Sequence, residues 1–156
     1  MRLGFTIALA AAVLGITAAA ATAAAAPTKY RNSMNAICNV YGPKLVAQQE
    51  AMSHASVARK TQKFEVAFRK YLVLSLRQNH QLEAVKIPPS LRPTMKPVVK
   101  MMKKADAHLF KALVSSRHGD LKAARSQLKT LTLVAGQLPN QLDSVGLISC
   151  GSLQQQ

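Results

Sequence analysis

The feature that most constrains how this chain folds is a seam of apolar side chains near its C-terminus. Leu121, Ala124, Leu128, Leu131, Ala135, Leu138, Leu142 and Val145 recur at alternating steps of three and four, the interval that holds side chains on one stripe of an α-helix. So regular a stripe has to be covered by other helices. Leu91, Met95, Val98, Met102, Ala105, Leu109 and Ala112 repeat the pattern upstream. Between the two runs, His118-Gly119-Asp120 reads as a tight turn in which Gly119 closes one helix and Asp120 caps the next. Two long amphipathic helices joined so briefly are expected to lie side by side and antiparallel.

Two further helices are expected before these. From about Tyr30 to Ser53, Met34, Ile37, Tyr41, Leu45 and Met52 fall at helical intervals, with a kink or restart at Gly42-Pro43, because Pro43 removes one backbone bond. His54-Ala55-Ser56 reads as a link, Ser53 or Ser56 serving as an N-cap. A second helix, about Val57 to Lys86, carries Phe64, Phe68, Tyr71, Leu82 and Val85 on one side, and Ile87-Pro88-Pro89 stops it. Ser90 is expected to cap the third helix, which runs to about Arg117. In the fourth, Pro139 has no N–H to give Ala135 and predicts a bend, and Gly146 ends the helix. Residues 57–86, 91–117 and 120–145 show no internal repeat, which argues against a repeat array. The expected fold class is therefore all-α, an up-down-up-down four-helix bundle.

The first 26 residues stand apart. After Met1-Arg2 comes an uncharged run from Leu3 to Ala26, rich in Leu, Ile and Val at first and then nearly pure Ala. This matches a secretory signal peptide with cleavage near residues 23–26. An uncleaved anchor is the competing reading, against which stand the weak hydrophobicity of the Ala tail and the missing basic stop-transfer flank. Residues 27–156 then form a single domain of about 130 residues, long enough for one core. The expected location is extracytoplasmic, secreted or in the cell envelope. Two cysteines in an exported chain are most simply a disulfide. Cys38 and Cys150 lie near opposite ends of the domain, and an up-down-up-down order brings those ends together.

Catalytic and metal-binding patterns are scarce. Di-iron bundles use inward carboxylates with Glu-x-x-His motifs on two helices, whereas His80-Gln81-Leu82-Glu83 is single, reversed and turned away from the aromatic stripe. Glu50 and His54 are neighbours at a helix end. Met95, Met101, Met102 and His108 raise the question of copper or haem, but Met95 and Met102 belong to the core seam, where Met fills gaps. No C-x-x-C-H or G-x-S-x-G is present, and Ser115-Ser116-Arg117-His118 reads as a helix C-terminus. The expectation is a non-enzymatic protein with no catalytic residue, no metal ligand and no cofactor.

Charge is the one positive signal. The sequence holds 21 Lys and Arg against six Asp and Glu, a formal net charge of +15. On the third helix Arg92, Lys96, Lys100, Lys103, Lys104 and Lys111 cluster opposite the seam. On the second, Arg59, Lys63, Lys70 and Arg77 form a comparable row. A merely solvated helix face commonly interleaves Glu at i,i+4, and here the acids are missing. These ten residues are the candidate contacts for an anionic partner, either an envelope polymer or a membrane surface. Nucleic acid is a poor fit, because export removes it and seven aromatics leave no stacking platform. Phe110 is the aromatic that falls on the basic side of the third helix.

At Ile37-Cys38-Asn39-Val40-Tyr41, Ile87-Pro88-Pro89-Ser90-Leu91-Arg92, His118-Gly119-Asp120 and Gly146-Leu147-Ile148-Ser149-Cys150-Gly151, the chain resembles a loose group of small exported bacterial helical proteins. These look like disulfide-closed bundles with an early Cys, a Pro-Pro break, a Gly-Asp hairpin and a terminal Cys-Gly. The resemblance implies a fold and carries no activity, so no functional residue transfers from it. Gly42-Pro43 and the high positive charge depart from the group's pattern. The functional expectation is an exported basic helical bundle that contacts anionic envelope components. Its alternatives are a bundle that holds a metal or small ligand, and a structural or protein-partner module.

Overall fold

The computed structural model describes residues 27–136 and 138–150. Residues 1–26, read from the sequence as a signal peptide, and Gly151 lie outside them. Five α-helices form the chain in order: α1 (Thr28–Val57), α2 (Thr61–Ala84), α3 (Arg92–Arg117), α4 (Leu121–Ala135) and α5 (Leu138–Ser144). One 3-10 turn, Pro89–Leu91, leads into α3, and another, Ile148–Cys150, follows α5. No strand occurs among the described residues.

Neighbouring helices pack in pairs, α1 on α2 and α3 on α4, with α2 also against α3. On the other side, α1 meets the 3-10 turn that carries Cys150. Cys38 and Cys150 are joined in a disulfide with their Cα atoms 5.1 Å apart, so the first and last elements of the domain are tied to each other.

The interior has two apolar clusters, and α3 runs through both. At the disulfide end, Tyr30, Met34 and Cys38 of α1 and Leu82 of α2 meet Leu91, Met95, Val98 and Met102, together with Leu142, Val145, Leu147 and Cys150. Phe68 and Leu72 meet Leu109, Ala112, Leu113 and Ala124 in the second cluster, flanked by Met52, Phe64, Tyr71, Leu128 and Leu131. The α3 seam read from the sequence is buried along its whole length, and Met95 and Met102 are only 1% and 3% exposed.

Several boundaries differ from expectation for local reasons. Helix α1 neither restarts nor ends at Pro43. Pro43 and Asn39, whose carbonyl loses its partner, both lie exposed, on a face where solvent is available to that carbonyl. The link expected at His54-Ala55-Ser56 falls instead at residues 58–60, so neither Ser53 nor Ser56 caps α2. Ser90 sits inside the 3-10 turn, and α3 begins with no side-chain cap. The expected bend in the fourth helix is a break into α4 and α5. It falls where Pro139 leaves the Ala135 carbonyl without its helical donor.

Three helices close in the same way. After α3, the Asp120 N–H reaches Ser115 O and the Gly119 N–H reaches Ser116 O, at 2.9 and 3.2 Å. After α5, Leu147 reaches Leu142 and Gly146 reaches Asp143, both at 2.9 Å. These are Schellman closures, with Gly119 (φ 81°) and Gly146 (φ 79°) at the left-handed position that glycine suits. After α1 the same bonds run from Lys60 to Ala55 and from Arg59 to Ser56, but the left-handed residue is Arg59, at φ 52°. The Asp120 carboxylate accepts from the Ala123 N–H at 2.8 Å and caps α4, as the sequence implies.

Candidate functional site: the cationic grooves of α2 and α3

Helix α3 presents a second stripe beside its core stripe: Arg92, Lys96, Val99, Lys103, Asp106, Phe110, Leu113 and Arg117, again at steps of three and four. Because α2 packs against α3, this stripe borders the valley between them, and two grooves open along it.

The first groove, about 590 Å³, is lined by Val85, Lys86, Ile87, Arg92, Lys96, Val99 and Lys103, with Glu83 at its edge. Pro88 and Pro89 end α2 beside it and carry the chain into α3, which is why Lys86 and Ile87 arrive next to Arg92. Its character is an apolar floor of Val85, Ile87 and Val99 under four cations and one acid. Among the described residues none of these four cations has an ion-pair partner. The second groove, about 470 Å³, brings together Gln48 of α1, Lys70, Val73, Leu74 and Arg77 of α2, and Leu113 and Arg117 of α3. Arg69 also lines it, with its guanidinium 3.4 Å from the Glu65 carboxylate. A smaller groove, about 310 Å³, lies on the α1–α2 side past Lys63, Val66 and Lys70.

Glu83 is the one acid that lines these grooves, and three others are engaged by neighbouring donors. Glu65 pairs with Arg69, and Asp120 caps α4. Asp106 accepts a hydrogen bond from the Asn79 side-chain amide at 2.6 Å. Burial raises the Asp106 pKa above its ordinary value, and the Asn79 bond and the nearby His80 work in the opposite direction.

All ten basic residues read from the sequence are exposed, but the structure does not gather all of them. Arg92, Lys96 and Lys103 share the first groove, and Lys70 and Arg77 the second. Lys63 lies on the third, while Lys100, Lys104 and Lys111 are exposed on α3 and line none of these three grooves. Arg59 belongs to the turn after α1 and holds its left-handed position. Sequence reasoning missed Lys86, Arg69 and Arg117. Lys86 was hidden by its place in the Pro-Pro break. The signal for Arg117 was present in the stripe running on from Lys103 through Phe110.

No family model, no curated protein and no solved structure matches this chain.

Of the other candidate chemical groups, His108 and Ser116 have structural partners. His108 Nδ1 lies 2.9 Å from the Gln127 side-chain oxygen and joins α3 to α4. His80 and Glu83 are exposed, as are Glu50 and His54. Ser116 is fully buried and donates to the Leu113 carbonyl. Among the described residues, no three His, Cys, Asp or Glu side chains converge in a way that would hold a metal ion. No described helix is long and apolar enough to cross a membrane.

Proposed function

We propose that this protein acts outside the cytoplasm as a non-enzymatic, signal-peptide-exported helical bundle of up-down-up-down order, whose α2–α3 side contacts anionic envelope material. The observation that carries this reading is the first groove: Lys86, Arg92, Lys96 and Lys103 surround one apolar floor with only Glu83 nearby. Like charges held together without counter-charges raise the free energy of the isolated fold, and an anionic partner relieves that repulsion. The Cys38–Cys150 bond supports the location, since disulfides persist in oxidising compartments. The order of helix contacts, together with the tie between α1 and the last turn, supports the bundle topology.

The test is retention on anionic liposomes and on purified envelope polymer, over a range of salt, for the native chain and for the K96Q/K100Q/K103Q variant. A basic side chain near an anionic surface contributes about 1 kcal/mol, so the triple variant should bind about 100-fold more weakly. Native binding should itself fall as salt rises. Equal retention of the two proteins removes the reading.

A further inference from the structure

The grooves leave the most exposed aromatic of the domain unexplained. Phe110 is 59% exposed in the middle of α3, and Val114, one turn later, is 37% exposed. Steps of seven place Lys103 and Arg117, which also line the two grooves, on the Phe110 face, and Lys100 and Lys111 lie about a quarter turn to one side; all four are exposed, while Asp106, four residues back, is half-buried and held by Asn79. A phenyl ring left in water beside these cations has no role in the core, whose α3 members Leu109, Ala112 and Leu113 lie on the flank away from Lys100 and Lys111.

We propose that this face, centred on Phe110, docks on the surface of a bilayer that contains anionic phospholipid, with the ring entering the boundary between headgroups and acyl chains. The inference rests on the anionic-contact reading above and names its partner. A charged polymer offers counter-charges but nothing apolar, whereas a bilayer supplies both at the depths this face presents them. From Lys96 to Arg117 the helix runs about 32 Å at 1.5 Å per residue, so the docked helix lies along the surface. Because no described helix spans a membrane, attachment through this face is peripheral and salt-sensitive.

The sequence contains no tryptophan, so F110W creates a single fluorescent reporter at the docking face and V57W, at the exposed end of α1, a control. Vesicles of equal parts phosphatidylglycerol and phosphatidylcholine should shift F110W emission to the blue and leave V57W unmoved, and pure phosphatidylcholine should shift neither. F110S should bind the anionic vesicles about tenfold more weakly, the scale expected for part of a phenyl side chain leaving an apolar boundary. On polyphosphate resin it should be retained like the native chain. Circular dichroism melts confirm that the variants fold.

An unshifted F110W, or F110S that binds vesicles as well as the native chain, overturns the docking proposal and leaves anionic contact standing. Retention by polyphosphate without vesicle binding overturns it in favour of a polymer partner. Failure to bind either material removes both this inference and the reading beneath it.

Discussion

At the scale of single residues, the half-buried Asp106 shows how an acid can sit in a strongly basic molecule without serving as a counter-ion. Its partner is the neutral amide of Asn79, and burial raises its pKa. A carboxyl whose folded pKa is raised favours the folded state while protonated. That contribution is fully present below the ordinary value of 3.8 and is lost as pH rises through the raised one. Asp106→Asn keeps an oxygen to accept from Asn79 and removes the charge. The variant should therefore lack the native chain's loss of stability across that window and should match or slightly exceed it at neutral pH. The gain should stay below about 1 kcal/mol because the site is only half-buried. Denaturant unfolding at several pH values checks this, and a variant distinctly less stable at neutral pH would show that the ionised carboxylate is favourable there. None of this was legible in the sequence, because Asn79 and Asp106 are 27 residues apart and meet only once α2 lies on α3.

At the scale of elements, what the sequence disclosed was whatever local chemistry decides. Gly119 and Asp120 occupy a left-handed closure and an N-cap because a tight turn between two helices leaves few other solutions. The α3 seam was legible for the same reason, since periodicity in one helix needs no knowledge of its partners. The end of α1 was misplaced by a few residues. Its closure uses Arg59 where glycine is the usual signal, so nothing in the residue types marked the position. A side chain at positive φ costs about 1 kcal/mol. Arg59→Gly should therefore stabilise the fold by at most about 0.5 kcal/mol once the added freedom of the unfolded chain is set against it. A rise in the urea midpoint is the expected result, and a fall would mean that the Arg59 side chain contributes more than its backbone conformation costs. Pro43 reads as a kink or a restart; the helix does not restart there but continues through it, and the carbonyl that loses its donor belongs to the exposed Asn39.

At the scale of the whole molecule, two apolar clusters are threaded by α3 and the ends are fastened by one disulfide. Cys38 and Cys150 are separated by 112 positions. Closing so long a loop constrains the unfolded chain by about 4 to 5 kcal/mol in the chain-entropy model. Replacing both cysteines by serine should lower unfolding stability by about that amount and shift the urea midpoint downward. An unchanged midpoint would mean that the clusters alone hold the ends together. The candidate surface was half legible at this scale. Helical spacing alone found the basic rows, but which cations share a groove depends on how α2 and α3 pack and on where the Pro88-Pro89 turn delivers Lys86. The measurement that tests the central claim most directly is lysine acetylation followed by mass spectrometry, with and without bound anionic vesicles or envelope polymer. The account predicts that Lys86, Lys96 and Lys103 lose reactivity on binding while the exposed Lys29 and Lys129 keep theirs. Uniform protection of all lysines, or protection confined to Lys29 and Lys129, would contradict it.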